Sequence, residues 1–198
     1  MARAVITVRE ADLHDLPAIA RQWGEMKGVA GRSDRLAPMP NVNRIRDYLL
    51  HGPRDPDQRV LVATVDDNSN VVGFCVLIRQ PFAPLHEGSS VHVHYLHVAE
   101  RGRRRGVGRA LVAAAATFAE DVAAEHVVTN VYPQLRDCNR FFARLGFAPV
   151  ITRRVVALPA LRRRLALEAR MGAVDEVLAR RRNIRRVRAA VVRTAGQT

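Results

Sequence analysis

Residues 91–111 constrain this chain more than any other stretch. Val91-His92-Val93-His94-Tyr95-Leu96-His97-Val98 runs directly into Ala99-Glu100-Arg101-Gly102-Arg103-Arg104-Arg105-Gly106-Val107-Gly108-Arg109-Ala110-Leu111. The alternating, β-branched first half predicts a strand, and the alanine-rich run past the glycines predicts a helix over about residues 107–123. A helix start carries unpaired backbone N–H groups and the positive end of the peptide macrodipole. Gly106 and Gly108 lack the Cβ that would hold an anion off that backbone, and Arg101, Arg103, Arg104, Arg105 and Arg109 add mobile positive charge. The junction suits a phosphate or pyrophosphate. Two glycines among arginines also describe an ordinary solvated basic turn, so the surrounding chain has to decide.

Upstream, residues 5–9 read as a strand and residues 12–26 as a helix with Leu13, Leu16, Ile19, Ala20 and Trp23 on one face, Trp23 being read as core. A loop over residues 28–40 precedes a helix over residues 42–50. Val60–Val65 and Val71–Ile78 flank a turn-forming Asp66-Asp67-Asn68-Ser69-Asn70 and read as a hairpin, stopped by Pro81 and Pro84. The loop from Arg79 to Gly88 holds Phe82, His86 and Glu87. Downstream, Val127–Tyr132 reads as a strand and Arg136–Leu145 as a helix closed by Gly146. Phe147–Val150 and Val155–Leu158 read as a last hairpin around Thr152-Arg153-Arg154. Strands alternate with helices in the middle of the chain and pair as hairpins outside it, which indicates an α/β fold with a mixed sheet.

From Pro159 the pattern changes. Leu161, Leu165, Met171, Val174, Leu178, Ile184, Val187 and Val191 fall mostly at helical spacing with arginines between them, predicting one or two amphipathic helices with a break near Gly172. The expected organisation is a domain over residues 1–157 and an Arg-rich helical extension over residues 158–198. At 198 residues and 48% hydrophobic content, the chain supports one core. The net charge of +13 divides into +8 in the extension, where 11 arginines face Glu168, Asp175 and Glu176, and +5 in the rest, a surplus the size of the five loop arginines. The extension suits packing of its apolar stripe on the core or on a second subunit, the latter giving a homodimer through the C-terminal helices, or an arm for an acidic protein, RNA or DNA. No aromatic residue follows Phe147, so any nucleic-acid contact there would be phosphate-driven. Nothing reads as a signal peptide or membrane span, so a cytoplasmic protein without a membrane partner is expected. Cys75 and Cys138 lack metal-ligand spacing and are read as reduced thiols.

Val98, four intervening residues and Arg103-Arg104-Arg105-Gly106-Val107-Gly108 at a helix start resemble the acyl-CoA loop of the GNAT superfamily of N-acetyltransferases, Arg/Gln-x-x-Gly-x-Gly/Ala. Phe141-Phe142-Ala143-Arg144-Leu145-Gly146-Phe147 resembles that family's Phe-Tyr-x-x-x-Gly-Phe. Ile6-Thr7-Val8-Arg9-Glu10-Ala11 with Asp15-Leu16-Pro17-Ala18-Ile19 resembles its first strand and helix. The resemblance covers about residues 5–157. It implies the GNAT fold, a mixed central sheet with splayed strands flanked by helices, with acetyl-CoA as co-substrate and no metal. It implies further that the pantetheine arm pairs with the backbone of Leu96, His97 and Val98. The diphosphate would lie on Arg103, Arg104, Arg105, Gly106, Val107, Gly108 and Arg109, with Phe142 beside the thioester. The first two helices and their loop would wall the acceptor site.

Simple alternation puts His92, His94, Leu96 and Val98 on one face of the strand and Val91, Val93, Tyr95 and His97 on the other. His92 lies six residues before Val98, where many GNAT enzymes carry a glutamate base. The run from His92 to Val98 resembles the His-x-His-x-Leu-x-Val of serotonin, or arylalkylamine, N-acetyltransferases, which implies that His92 and His94 are catalytic and relay the amine's proton through water. An ordinary imidazole pKa near ~6.5 suits that task; strand histidines satisfied by hydrogen bonds are the plainer alternative. Phe142 stands where the family usually has the tyrosine that protonates the thiolate, and Leu135 where an asparagine is frequent. Water, Tyr132 and Cys138 remain as proton sources, or the thiolate departs unprotonated at some loss of rate. The expected function is transfer of an acetyl group from acetyl-CoA to a primary amine, on a small molecule or peptide, by direct attack in a ternary complex. The alternative is a catalytically weak acyl-CoA-binding protein whose basic tail binds a protein or nucleic-acid partner.

Overall fold

The computed structural model describes residues 4–30, 42–51, 55–66, 68–85 and 87–168. Its elements run β1 (Ile6–Glu10), a turn of 3-10 helix (Leu13–Asp15), α1 (Leu16–Ala30), α2 (Val42–His51), β2 (Gln58–Val65), β3 (Asn68–Pro81) and β4 (Ser89–Val98). A second 3-10 turn (Glu100–Gly102), α3 (Val107–Asp121), β5 (His126–Thr129) and α4 (Arg136–Arg144) follow. The strands form one sheet in the order β1-β2-β3-β4-β5, antiparallel except for the parallel β4–β5 pair. Antiparallel neighbours need only tight turns, whereas the parallel pair requires a crossover, and α3 supplies it.

Each face of the sheet buries its own apolar set. On one side Leu111, Ala115 and Phe118 of α3 pack on Leu61, Cys75, Leu77, Val91 and Val93; on the other, Ile19 and Trp23 of α1 and Ile45 of α2 pack on Val60, Val62, Val71 and Phe74. Trp23 is 1% exposed, as a core tryptophan should be. The entry to α1 is fixed by a reciprocal cap, in which the Asp12 carboxylate accepts from the His14 amide and the Asp15 carboxylate accepts from the Asp12 amide. The first two helices, the β2–β3 hairpin, β4, α3 and α4 all fall within a few residues of the expected spans.

Two expectations fail. β5 ends at Thr129, short of Tyr132, because Pro133 is followed at once by the turn into α4. Residues 147–157 form no strand, and Val150, Ile151, Val155 and Val156 are exposed. Their β-branched composition gives strand propensity, but propensity reports fit to a neighbouring strand and a buried face, and among the described residues this segment pairs with no strand and is largely exposed. The chain divides into two compact units, residues 1–149 and 150–198. In the second, residues 158–168 are helical, with Leu158, Leu161, Leu165 and Leu167 exposed. The expected break near Gly172, the apolar positions from Met171 onward, His86 and most of the 28–40 loop lie outside the described residues. Among the described residues no helix is long and apolar enough to cross a membrane.

Candidate active site

β4 and β5 are paired over only four rungs, from Ser90↔His126 to Val93↔Thr129. The Thr129 hydroxyl donates to the Val93 carbonyl at 3.3 Å and closes the last rung. From His94 onward β4 has no neighbour on that side among the described residues. Its edge resumes a partner at Val98, whose carbonyl accepts from Arg103 Nε at 3.1 Å. Between these points a strand edge lies open to an extended chain that offers amide groups, since unpaired backbone N–H and C=O demand partners.

The same stretch of β4 carries a bulge. On the β3 side, Phe74 pairs with His97 but Val76 pairs with His94, so three β4 residues span two on β3. The extra residue is accommodated by Tyr95 in the left-handed region at φ 56°, a conformation that costs a bulky L-residue roughly 1–2 kcal/mol. The strict alternation expected of the sequence is therefore broken. His92, His94 and His97, paired with Ile78, Val76 and Phe74, all share the face covered by α1 and α2, while Leu96 and Val98 pack against the α3 core. Nothing in the residue types marks this, since Tyr95 is not glycine.

On that face the His92 and His94 rings stack, 6.0 Å between centroids and 15° between planes. Tyr95 lies against His94 at 5.8 Å and against Trp23 at 4.8 Å. His97 is buried, and its Nε2 approaches Glu25 Oε2 of α1 at 3.4 Å. Burial pushes the His97 pKa down and outweighs the opposing pull of Glu25, which keeps the ring neutral near pH 7. Beyond His97 a cavity of about 580 Å³ is lined by Arg21, Gln22, Glu25, Glu100, Arg101 and Arg103. Gln22 Nε2 and Arg101 Nη2 both donate to the Val71 carbonyl, at 2.8 and 2.9 Å.

The loop after β4 ends at Gly106, in the left-handed region at φ 94°, and α3 begins at Val107 with no side chain capping its first turn. The α3 N–H groups that an Asp or Ser would normally occupy thus remain for an anion. The loop arginines divide by their bonds. Arg101 and Arg103 are tied to backbone carbonyls, and Arg105 pairs with Asp66, whose other oxygen accepts from the Val5 amide. Arg104 and Arg109 have no hydrogen-bonded or ion-paired partner among the described residues, and Arg104 acts on Asp137 of α4 only through space. Val107 is buried with its side chain toward Gly73, so only its backbone can serve a ligand. A Cβ on Gly108 would lie 3.3 Å from the Phe141 ring, which sets α4 close against α3.

An open strand edge thus lies beside an uncapped helix start and a histidine face. The chain matches the model of the Acetyltransferase (GNAT) family over residues 29–147, more than half its length. It belongs to this family. No curated protein sequence matches it. Among solved structures, this GNAT chain is similar to a transcriptional regulator from Bacillus halodurans C-125, at 20% identity over 78% of this chain and 100% of that one with a TM-score of 0.63. It is similar also to a ribosomal-protein-alanine N-acetyltransferase from Brucella melitensis biovar Abortus 2308, at 20% identity over 78% and 99% with a TM-score of 0.60. Glucosamine-6-phosphate N-acetyltransferase from Arabidopsis thaliana aligns at 12% identity over 78% and 99% with a TM-score of 0.58. At such identities these neighbours speak for the fold.

Within the GNAT frame, Leu96, His97 and Val98 lie on the open edge, Arg103 to Arg109 form the loop and first turn of α3, and His92 and His94 lie on the neighbouring face. Phe142 is 7% exposed, packed edge-on against Phe141 and Phe147. Sequence reasoning missed Tyr95 and Glu25. The first is invisible without the bulge. The second sits among ordinary helix carboxylates until α1 is laid across β4.

Proposed function

We propose that this protein is an acetyl-CoA-dependent N-acetyltransferase acting on a primary amine by direct attack in a ternary complex. The observation that carries the reading is the juxtaposition of the open β4 edge, the uncapped start of α3 and the stacked His92–His94 pair. In this reading the β4 backbone at Leu96, His97 and Val98 pairs with the pantetheine amides. The first-turn amides of α3 after Gly106, with Arg104 and Arg109, hold the diphosphate, and Arg103 and Arg105 shape the loop through Val98 and Asp66. An N–H of the open edge polarises the thioester carbonyl and stabilises the oxyanion.

Acetyl transfer requires the amine as free base. His92 and His94 lie on the α1–α2 face at the point where β4 and β5 part, so a proton released by the amine as it attacks passes to an imidazole directly or through water. In this reading the acceptor enters along the wall made by α1 and α2, on that same face. The resemblance of the histidine run to arylalkylamine N-acetyltransferases supports a small amine, and the neighbour that acetylates a ribosomal protein supports a peptide N-terminus.

Calorimetry with acetyl-CoA and a thiol-release assay over alkylamines, arylalkylamines, polyamines and short peptides test the proposal. Binding accompanied by amine-dependent thiol release is expected, with His92→Ala/His94→Ala reducing turnover about 10²-fold or more while leaving coenzyme binding intact. Tight binding without release for any amine would instead favour the non-catalytic acyl-CoA-binding reading.

A further inference from the structure

Protonation speeds the departure of an alkyl thiolate, and the motif position expected to hold a phenol holds Phe142, buried and without a hydroxyl. We propose that the Tyr95 hydroxyl donates that proton, from the bulge of β4 where the two central strands part. The proposal rests on the acetyl-transfer reading above.

Several observations converge on Tyr95. The last β4–β5 rung is Val93↔Thr129, so Tyr95 stands two residues beyond it on one lip of the opening and Tyr132 three residues beyond it on the other. The two phenols are near enough to interact electrostatically. A left-handed backbone at a bulky aromatic residue is held only where the surroundings over-determine it, and such positions concentrate at functional sites. Here the Trp23 and His94 rings clamp the side chain while the residue stays 36% exposed. Burial, with Tyr132 nearby, raises the phenol above its usual range, so it carries its proton at neutral pH.

The rival donors are worse placed. Cys138 lies in α4, where burial and the neighbouring Asp137 push its thiol up. His97 is neutral and faces Glu25. Tyr132 follows β5 outside any regular element.

The proton balance closes through His94. The amine nitrogen bonds to the thioester carbon and gives its proton to the histidine pair. As the C–S bond breaks, sulfur takes the Tyr95 proton, and the imidazolium beside the phenol replaces it. A phenol alone is a weaker acid than the thiol it protonates, with ordinary values near ~10 and ~8.5. An imidazolium is ordinarily a stronger acid than either, so the sum of the two transfers is favourable.

Tyr95→Phe removes the hydroxyl and keeps the ring, so the test compares it with the unaltered protein using two acyl donors. With acetyl-CoA and an amine that supports thiol release, kcat is expected to fall about 10²-fold with coenzyme affinity by calorimetry unchanged. With S-(4-nitrophenyl) thioacetate, whose thiolate leaves without protonation, the two proteins are expected to turn over equally. Undiminished kcat with acetyl-CoA overturns the proposal, as does an equal loss with both donors, which would mark a structural role. If the unaltered protein acetylates nothing, the functional reading falls first and the Tyr95 assignment with it; if it acetylates normally and only the Tyr95 result fails, the assignment falls alone.

Discussion

Asp15 shows how one side chain fastens the first strand to the first helix. It accepts from Arg9 Nη1 and Nη2 at 2.6 and 2.8 Å and from the Asp12 amide at 2.9 Å. Burial on its own would raise its pKa, but the guanidinium and the amide together favour the charged form and hold it below the usual carboxylate range. A carboxylate with a depressed folded pKa contributes stability that is fully present above its unfolded value, near ~3.9, and is lost as pH falls through the folded value. Asp15→Asn is expected to destabilise the protein by about 1–3 kcal/mol at neutral pH, the half-exposed Arg9 keeping the cost below that of a fully buried pair. Urea unfolding across pH checks this: the gap between the two proteins should be widest near neutrality and should close in acid, below both pKa values.

At the scale of the element, the start of α3 is the feature most plainly written in the residues. Gly106 adopts φ 94°, and an alanine there would carry its Cβ to 3.3 Å from Ile6 Cδ1. Gly146, which closes α4, adopts φ 88° with nothing within 4 Å of a Cβ. Both alanine variants should lose roughly 1–2 kcal/mol from the left-handed backbone, or a few degrees of Tm. Only Gly106→Ala should also weaken coenzyme A binding, by about tenfold, because only there does the strained backbone carry the proposed diphosphate site. Equal affinities by calorimetry would move the anion elsewhere. These two helix boundaries were legible because glycine at a left-handed position has few substitutes. The bulge of β4 was not, because Tyr95 pays its backbone strain through Trp23 and His94, partners that tertiary packing alone supplies. The face shared by His97 with His92 and His94 follows from that bulge, so alternation alone misplaces it. The 147–158 hairpin failed for the opposite reason, its valines and isoleucine carrying a local preference that no neighbouring strand completes.

For the whole molecule, charge is the property that no single element explains. The chain carries +13, of which +8 lies in residues 158–198, so the candidate site and the extension are separate sources of positive potential. A polyanion drawn to the extension releases counterions in proportion to the phosphates it gives up, and each arginine contact adds about 0.9 to the slope of log K against log salt on duplex DNA. Arg162, Arg163 and Arg164 lie on the exposed helix over residues 158–168. Replacing all three with glutamine in the full chain should lower that slope by about 3, measured by fluorescence titration of a random-sequence duplex at several salt concentrations, and should leave acetyl-CoA binding unchanged. An unaltered slope would mean that any bound duplex is held elsewhere, by the other eight arginines of the extension or by those of the loop. If the loop holds it, acetyl-CoA should compete it off, because the Arg104 and Arg109 of the proposed diphosphate site cannot serve a diphosphate and a nucleic-acid backbone at once.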